Sequence, residues 1–283
     1  MSTGISVVIP TCDWPGLLLE AVNCVLDQSC PAHEIIVVNN GGKPLDESRL
    51  PRQVQVCELP PYVGVSQARN QGVTQATGEY VAFLDDDDLW ELNYLEKLAA
   101  VIEEQHPDCI VTRLDTQVDG QIVPYKNAAG KLNLANLLVR NPGTSGSSTV
   151  VRREPFFQVS GYDPELKHGQ DTALIIDLLI KGYSIVAAPH IQAIMRGHAG
   201  PCLRDARSRP DSIGRFLQKY GKLMSWPQRN YNFTKFYYRR YHTQGHPLDL
   251  YQYWFRFQIH RFIRKLDPTL PSAPRLPKHE DQE

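Results

Sequence analysis

The sequence predicts an α/β protein with a doubly wound, mostly parallel sheet and a helical appendage toward its C-terminal end. Three observations lead there. Apolar runs of strand length alternate with helical patterns through residues 1–110. The run Tyr80–Leu84 is apolar on both faces, as a strand covered by helices on either side must be. From about Ser208 the pattern changes to helical segments in which Tyr, Phe, Trp and Arg interleave.

The elements follow in order. Ile5–Ile9 reads as the first strand, ended by Pro10, and the segment from Pro15 to about Gln28 carries Leu18, Ala21, Val22, Val25 and Leu26 at helical spacing. Glu34–Val38 and Val54–Leu59 read as the second and third strands. A helix over Val65–Ala76 leads into a fourth strand starting at Glu79. Right-handed crossovers between such strands leave few topologies to consider. After Cys109–Thr112 the pattern loosens. Short strands near Ile122–Tyr125 and Ser148–Arg152 are separated by a loop at Asn141–Gly146, read from its Gly, Pro and Ser content. A helix from about Asp171 to Lys181 stops at Gly182. These readings divide the chain into residues 1–110 and 111–207, two halves of one domain, a helical segment at 208–266 and a Pro-rich polar tail at 267–283, expected to be disordered.

The chain has 283 residues, 42% hydrophobic and 22% charged, which suits a globular protein with one large domain and an appendage. A net charge of -1 argues against a general nucleic-acid binder. The six cysteines form no C-x-x-C pair and no signal peptide precedes them, so they read as reduced thiols in a cytoplasmic protein. No apolar run approaches the roughly 18 residues of a membrane span, so any membrane contact is expected to be peripheral, at the inner face.

The densest chemistry lies in Gly78–Trp90, GEYVAFLDDDDLW, where an apolar strand runs directly into four aspartates. Four like charges repel one another and call for a neutralising cation. Ligands of open parallel sheets bind beyond the carboxyl ends of the strands, where Asp85–Asp88 fall. Carboxylate oxygens suit Mg²⁺ or Mn²⁺. The alternative is an acidic turn in which Asp88 caps a helix beginning near Leu89 or Trp90.

Three blocks, SVVIPTCDWPGLLLEAVNCVLDQSCPAHEIIVVNNGG, GVSQARNQGVTQATGEYVAFLDDDDLW and GYDPELKHGQDTALIIDLLIKGY, together resemble the inverting family 2 glycosyltransferases of the GT-A fold across about residues 4–200. The resemblance implies a nucleotide-sugar donor, with a UDP-sugar as the leading expectation, and a divalent metal held by Asp87, with Asp85 ligating through water or holding the ribose hydroxyls. It implies a catalytic base at Asp171, after the Gly161-Tyr162-Asp163 turn, with Gln170 where the family usually has Glu. Thr11, Asp13 and Arg69 occupy the expected donor edge with Asp85 and Asp86. Asn39-Asn40-Gly41-Gly42 stands where the family shows Asp-Asp-Gly-Ser, and Asn39 either accepts a hydrogen bond from the base or only builds a turn. His198, in a loose Arg-x-His match, would approach the metal or diphosphate. Asp171 is also a carboxylate at a helix N-terminus, which the helix dipole stabilises.

Two other readings compete. A sugar nucleotidyltransferase would share the sheet and the acidic site, yet Pro10–Pro15 offers no Gly-rich phosphate loop. A non-catalytic module that binds nucleotide sugars would account for Asn39, Asn40 and Gln170. The acceptor is expected to be a glycan or a lipid-linked glycan. The segment 229–265 carries eight Arg and Lys against Asp249 as its one acidic residue, interleaved with aromatics. It reads as a peripheral membrane contact, as a homodimer surface, or as packing within a helical appendage, rather than as a nucleic-acid site.

Overall fold

The computed structural model describes residues 4–13, 15–126, 128–196 and 209–274. The chain forms two compact units, one of residues 1–134, 141–164 and 170–200, the other of residues 135–140, 165–169 and 201–283.

The first unit is built on a nine-stranded mixed sheet. It opens with β1 (Ile5–Thr11), α1 (Pro15–Leu26), β2 (Glu34–Asn39), β3 (Val54–Glu58), α2 (Val65–Gln75) and β4 (Tyr80–Phe83), the alternation expected from the sequence. β3, β2, β1 and β4 lie side by side and run parallel. β1 is buried at every position, because neighbouring strands flank it on both edges and its Val7 and Ile9 join Leu18 and Val22 of α1 in the core.

Beyond β4 come β5 (Leu89–Trp90), α3 (Tyr94–Gln105), β6 (Cys109–Val118), β7 (Gln121–Lys126), β8 (Thr149–Arg152), α5 (Arg153–Gln158), α6 (Gln170–Ile180) and β9 (Ile185–Arg196), while the single turn α4 (Leu134–Leu137), between β7 and β8 in the chain, falls almost wholly in the second unit. β8 is antiparallel to both β4 and β6, β6 runs parallel to β9, β5 closes the edge against β9, and β7 pairs back onto β6. Asp88 does not cap a helix. Leu89 and Trp90 join the sheet, and α3 begins only at Tyr94, after Asn93. The indole drives this difference: Trp90 is buried, stacks on Tyr94 at 4.2 Å between centroids, and donates from Nε1 to the Ser147 carbonyl at 2.8 Å.

The second unit contains α7 (Arg209–Tyr220), α8 (Trp226–Gln244) and α9 (Pro247–Leu266). Ser225 and Gln228 form a capping box that starts α8, Gly245 ends it at φ 69°, and Pro247 opens α9. Much of the interleaved aromatic and basic sequence is consumed inside this hairpin. Arg240 pairs through two nitrogens with the buried Asp249, and the Arg256 guanidinium lies 4.8 Å from the Phe233 ring centroid.

The expectation of a disordered tail from Asp267 is corrected for residues 267–274. Leu270 and Ala273 are buried, the Tyr253 hydroxyl donates to the Pro274 carbonyl at 2.8 Å, and Arg264 Nε donates to the Leu270 carbonyl at 3.1 Å. A Pro-rich segment offers few N–H donors, but its carbonyls still find partners along α9. Residues 275–283 lie outside the described residues. Among the described residues no helix is long and apolar enough to cross a membrane.

α2 approaches β1 closely at Gly72. A Cβ at Gly72 would fall 2.3 Å from Val8 Cγ1, far inside van der Waals contact. Gly72→Ala should therefore lower unfolding free energy by about 1–3 kcal/mol, overriding the roughly 1 kcal/mol that alanine gains in helix propensity. In urea denaturation, Val8→Ala in the same chain should leave a combined loss smaller than the sum of the two single losses. Strictly additive losses would contradict the close approach.

Candidate active site

The carboxyl ends of β1, β2 and β4 and the start of α6 bring together most of the residues singled out from the sequence. Thr11 ends β1, and its hydroxyl donates to Asp86 Oδ2 at 2.5 Å. Asp13 adopts φ 63°. Its carboxylate accepts from Gly42 N at 2.9 Å and from the Tyr62 hydroxyl at 3.1 Å, so it ties the turn after β1 to the turn after β2.

Asn39 is buried at the end of β2. Its amide donates to the Lys43 carbonyl and to Glu58 Oε2, both at 2.8 Å, while its Oδ1 accepts from Gly41 N at 2.9 Å. The turn role is visible in these bonds, which spend both amide protons within the protein, while Oδ1 carries one contact and keeps a second lone pair. Asn40 completes that turn by donating to the Thr11 carbonyl at 3.0 Å.

The four aspartates do not act alike. Asp88 N closes a tight turn onto the Asp85 carbonyl at 3.0 Å, and the side chains then diverge. Asp88 points inward and is buried, accepting from the Ser147 hydroxyl at 2.6 Å and from Arg196 N at 3.2 Å. Burial, reinforced by the charges of Asp85 and Asp87, pushes its carboxyl well above the usual range. Asp86 is pushed up to about 7, first by burial and then by Asp87 and Asp85, against the Thr11 hydroxyl that favours its ionised form. Asp87 stays half-buried, and its backbone carbonyl accepts from Arg196 Nε at 2.8 Å.

Arg69 organises the remainder. It projects from α2, is 2% exposed, and bridges two carboxylates distant in sequence: Asp85 Oδ1 from Nη2 at 2.5 Å and Asp171 Oδ1 from Nη1 at 2.9 Å. Its guanidinium also lies 5.1 Å from the centroid of the Tyr162 ring. The next residue, Asn70, clips α2 to the turn before α6, exchanging hydrogen bonds of 2.8 Å with the carbonyl and the N–H of Tyr162. Asp171, in the first turn of α6, has a side chain 16% exposed. Burial pushes it up to about 6, with Arg69 pulling down and Asp85 pushing up.

Several members of the site had no marker in the sequence. A Cβ on Gly146 would meet Arg69 Nη2 at 2.1 Å and Asp85 Oδ1 at 2.8 Å, so only glycine leaves room for that ion pair. Ser147 serves both ends of the aspartate turn, accepting from Asp85 N at 3.0 Å while donating to Asp88. Arg196, at the end of β9, holds the turn from the far side and pairs with Glu20. Gly146 lay in a stretch read only for its turn composition, and Arg196 was read only as part of an Arg-x-His match. His198 lies outside the described residues.

Among the described residues no three His, Cys, Asp or Glu side chains are grouped to cage a metal by themselves. The donor set still fits a hard divalent cation. Mg²⁺ and Mn²⁺ take one or two carboxylates and complete their shell with water and substrate phosphates, and Asp85 and Asp87 are partly exposed carboxylates of that kind at the strand end.

The family model described as Glycosyl transferase family 2 matches residues 6–158. TuaG of Bacillus subtilis, a glycosyltransferase assigned to teichuronic acid biosynthesis, is 28% identical over 188 residues, covering 64% of this chain and 73% of TuaG. The poly(ribitol-phosphate) β-N-acetylglucosaminyltransferase TarS of Staphylococcus aureus is 26% identical over 180 residues, covering 59% of this chain and only 30% of TarS. The crystal structure of TarS 1–349 in complex with UDP-GlcNAc superposes with a TM-score of 0.65 at 18% identity, over 94% of this chain and 84% of that one, a likeness of fold. Because the family model spans more than half of the chain and the sheet is the one its solved relative shares, the chain belongs to glycosyl transferase family 2 and is a glycosyltransferase of the GT-A fold.

Proposed function

We propose that the protein transfers a sugar from a UDP-sugar to a hydroxyl of a glycan or lipid-linked glycan, inverting the anomeric carbon, with Asp171 as the base. The observation that carries this reading is the Arg69 bridge, which holds Asp85 at the strand end and Asp171 at the helix start on one guanidinium. The UDP-GlcNAc complex of TarS and the assignment of TuaG to teichuronic acid biosynthesis support the donor and acceptor classes.

In this reading the acceptor hydroxyl loses its proton to Asp171 as its oxygen attacks the anomeric carbon. The bond from that carbon to the diphosphate breaks as the new glycosidic bond forms, and the nucleoside diphosphate departs. One displacement leaves the configuration inverted, with no covalent enzyme intermediate. Asp87, with Asp85, would hold Mn²⁺ or Mg²⁺, which supplies charge neutralisation to the leaving diphosphate. His198 is proposed to approach the same group. Thr11 and Asp86 line the donor edge as a hydrogen-bonded pair, and Asp13 and Asn39 act on the donor through the two turns they build. Arg69 acts as a positioning residue, since each of its terminal nitrogens donates to a carboxylate.

Two outcomes test this. With Asp171 at about 6, the base is ionised above that pH, so kcat/KM should fall about tenfold per unit of pH below it. Asp171→Asn should lower turnover by roughly 10² to 10⁴ and keep nucleotide affinity near wild type. Wild-type turnover in that variant, or a product of retained configuration, would exclude the mechanism. For the metal, calorimetry should show UDP binding more tightly with Mn²⁺ than without, and Asp87→Ala should remove the difference. Equal affinity in both conditions for the wild-type protein would rule the metal out.

A further inference from the structure

The second unit carries an exposed face that its own packing leaves uncovered. Along α9, Leu248, Tyr251, Trp254, Phe255, Phe262 and Leu266 are between 56% and 74% exposed. At 100° per residue they fall on a single arc of roughly 120°. The opposite side of the same helix buries Asp249, Tyr253 and His260. Large apolar side chains gathered on one exposed helix face mark an interaction surface.

The charge on that face is of one sign. Arg261 and Lys265 lie at one edge of the apolar arc and are exposed. With Arg264 they line a cavity of about 300 Å³ formed by the last turns of α9 and the segment that packs back on them. His260 lies in the cavity wall, its Nε2 2.9 Å from the Pro271 carbonyl, and burial lowers its pKa. The three longer side chains therefore supply the positive charge. Asp249 is the one carboxylate in α8 and α9, and Arg240 neutralises it on the buried side.

We propose that this face of α9 docks on an anionic lipid surface, with its aromatic arc at the headgroup boundary and a lipid phosphate in the cation-lined cavity. Charge complementarity selects this occupant over a second copy of the chain. A two-fold interface sets a patch against itself, so Arg261 and Lys265 would be buried against a face of the same sign that has no carboxylate to pair with them. An anionic bilayer satisfies both features, because Trp, Tyr and Phe favour the interfacial zone and basic side chains are drawn to its phosphates. The inference goes beyond the proposed reaction and is independent of it.

The test uses the full chain, sedimented with vesicles of phosphatidylcholine alone and of phosphatidylcholine with phosphatidylglycerol, at low salt and at about 0.5 M NaCl, where charge attraction is strongly screened. The protein should bind the phosphatidylglycerol vesicles at low salt and be released by salt. Arg261→Glu with Lys265→Glu should weaken that binding at least about tenfold, as should Phe255→Ser with Phe262→Ser. All four side chains are exposed, so circular dichroism and the thermal midpoint should match wild type and separate lost docking from lost folding. Protein that stays in solution with anionic vesicles at low salt would overturn the proposal, as would binding that neither double variant weakens. Absence of vesicle binding together with a dimer that Phe255→Ser/Phe262→Ser dissociates would assign the face to a second copy instead.

Discussion

The buried guanidinium of Arg69 is the interaction on which the candidate site depends. It joins Asp171 to α2 across 102 positions of sequence and Asp85 across 16. Two carboxylates held this close would repel without it. Removing one member of a buried charge network typically costs about 3–5 kcal/mol, because the remaining charges are left without their partner. The surroundings conform to this requirement. Gly146 leaves space for the Arg69–Asp85 contact, and Gly161, at φ 65°, lets the turn before α6 pass close to Asn70 and Phe156. The Asn70 clip to Tyr162 then holds that turn against α2, so one turn of α2 sets both the donor-side carboxylate and the proposed base.

The aspartate run shows how one stretch of identical residues is divided into separate tasks. Asp88 is spent on Ser147 and Arg196, which locks the turn. Asp86 is spent on Thr11, at the end of the neighbouring strand. Asp85 accepts from Arg69, and Asp87 is half-buried. The raised pKa values at Asp86 and Asp88 come first from burial, with the neighbouring carboxylates adding to it.

The first six elements were legible in the sequence through local signals: β1, β2 and β4 are apolar runs buried on both faces, and α1 carries apolar residues at helical spacing. Asp85, Asp87, Arg69 and Asp171 were also named, but their pairing was not, since contact across 102 residues leaves no local trace. β9 escaped because Pro189 interrupts it. The register with β6 shifts there, between Thr112 and Arg113, and the apolar pattern breaks with it. β5 is two residues long and exists through the burial of Trp90, a tertiary effect. The parts played by Gly146, Ser147 and Arg196 depend on where β8 and β9 enter the sheet. Residues 267–274 looked disordered by composition, yet they pack because α9 offers donors to their carbonyls.

The most direct measurement of the central claim is the pH dependence of kcat/KM for wild type and Arg69→Met, assayed side by side with the preferred UDP-sugar. If Arg69 holds the Asp171 base ionised against Asp85, replacing it with an uncharged side chain raises the Asp171 pKa, and the acidic limb near 6 moves to higher pH. Turnover at alkaline pH should recover part of what is lost at neutrality. An acidic limb that stays in place in Arg69→Met would contradict the account, because Asp171 would then take its ionisation from elsewhere or would not be the titrating base.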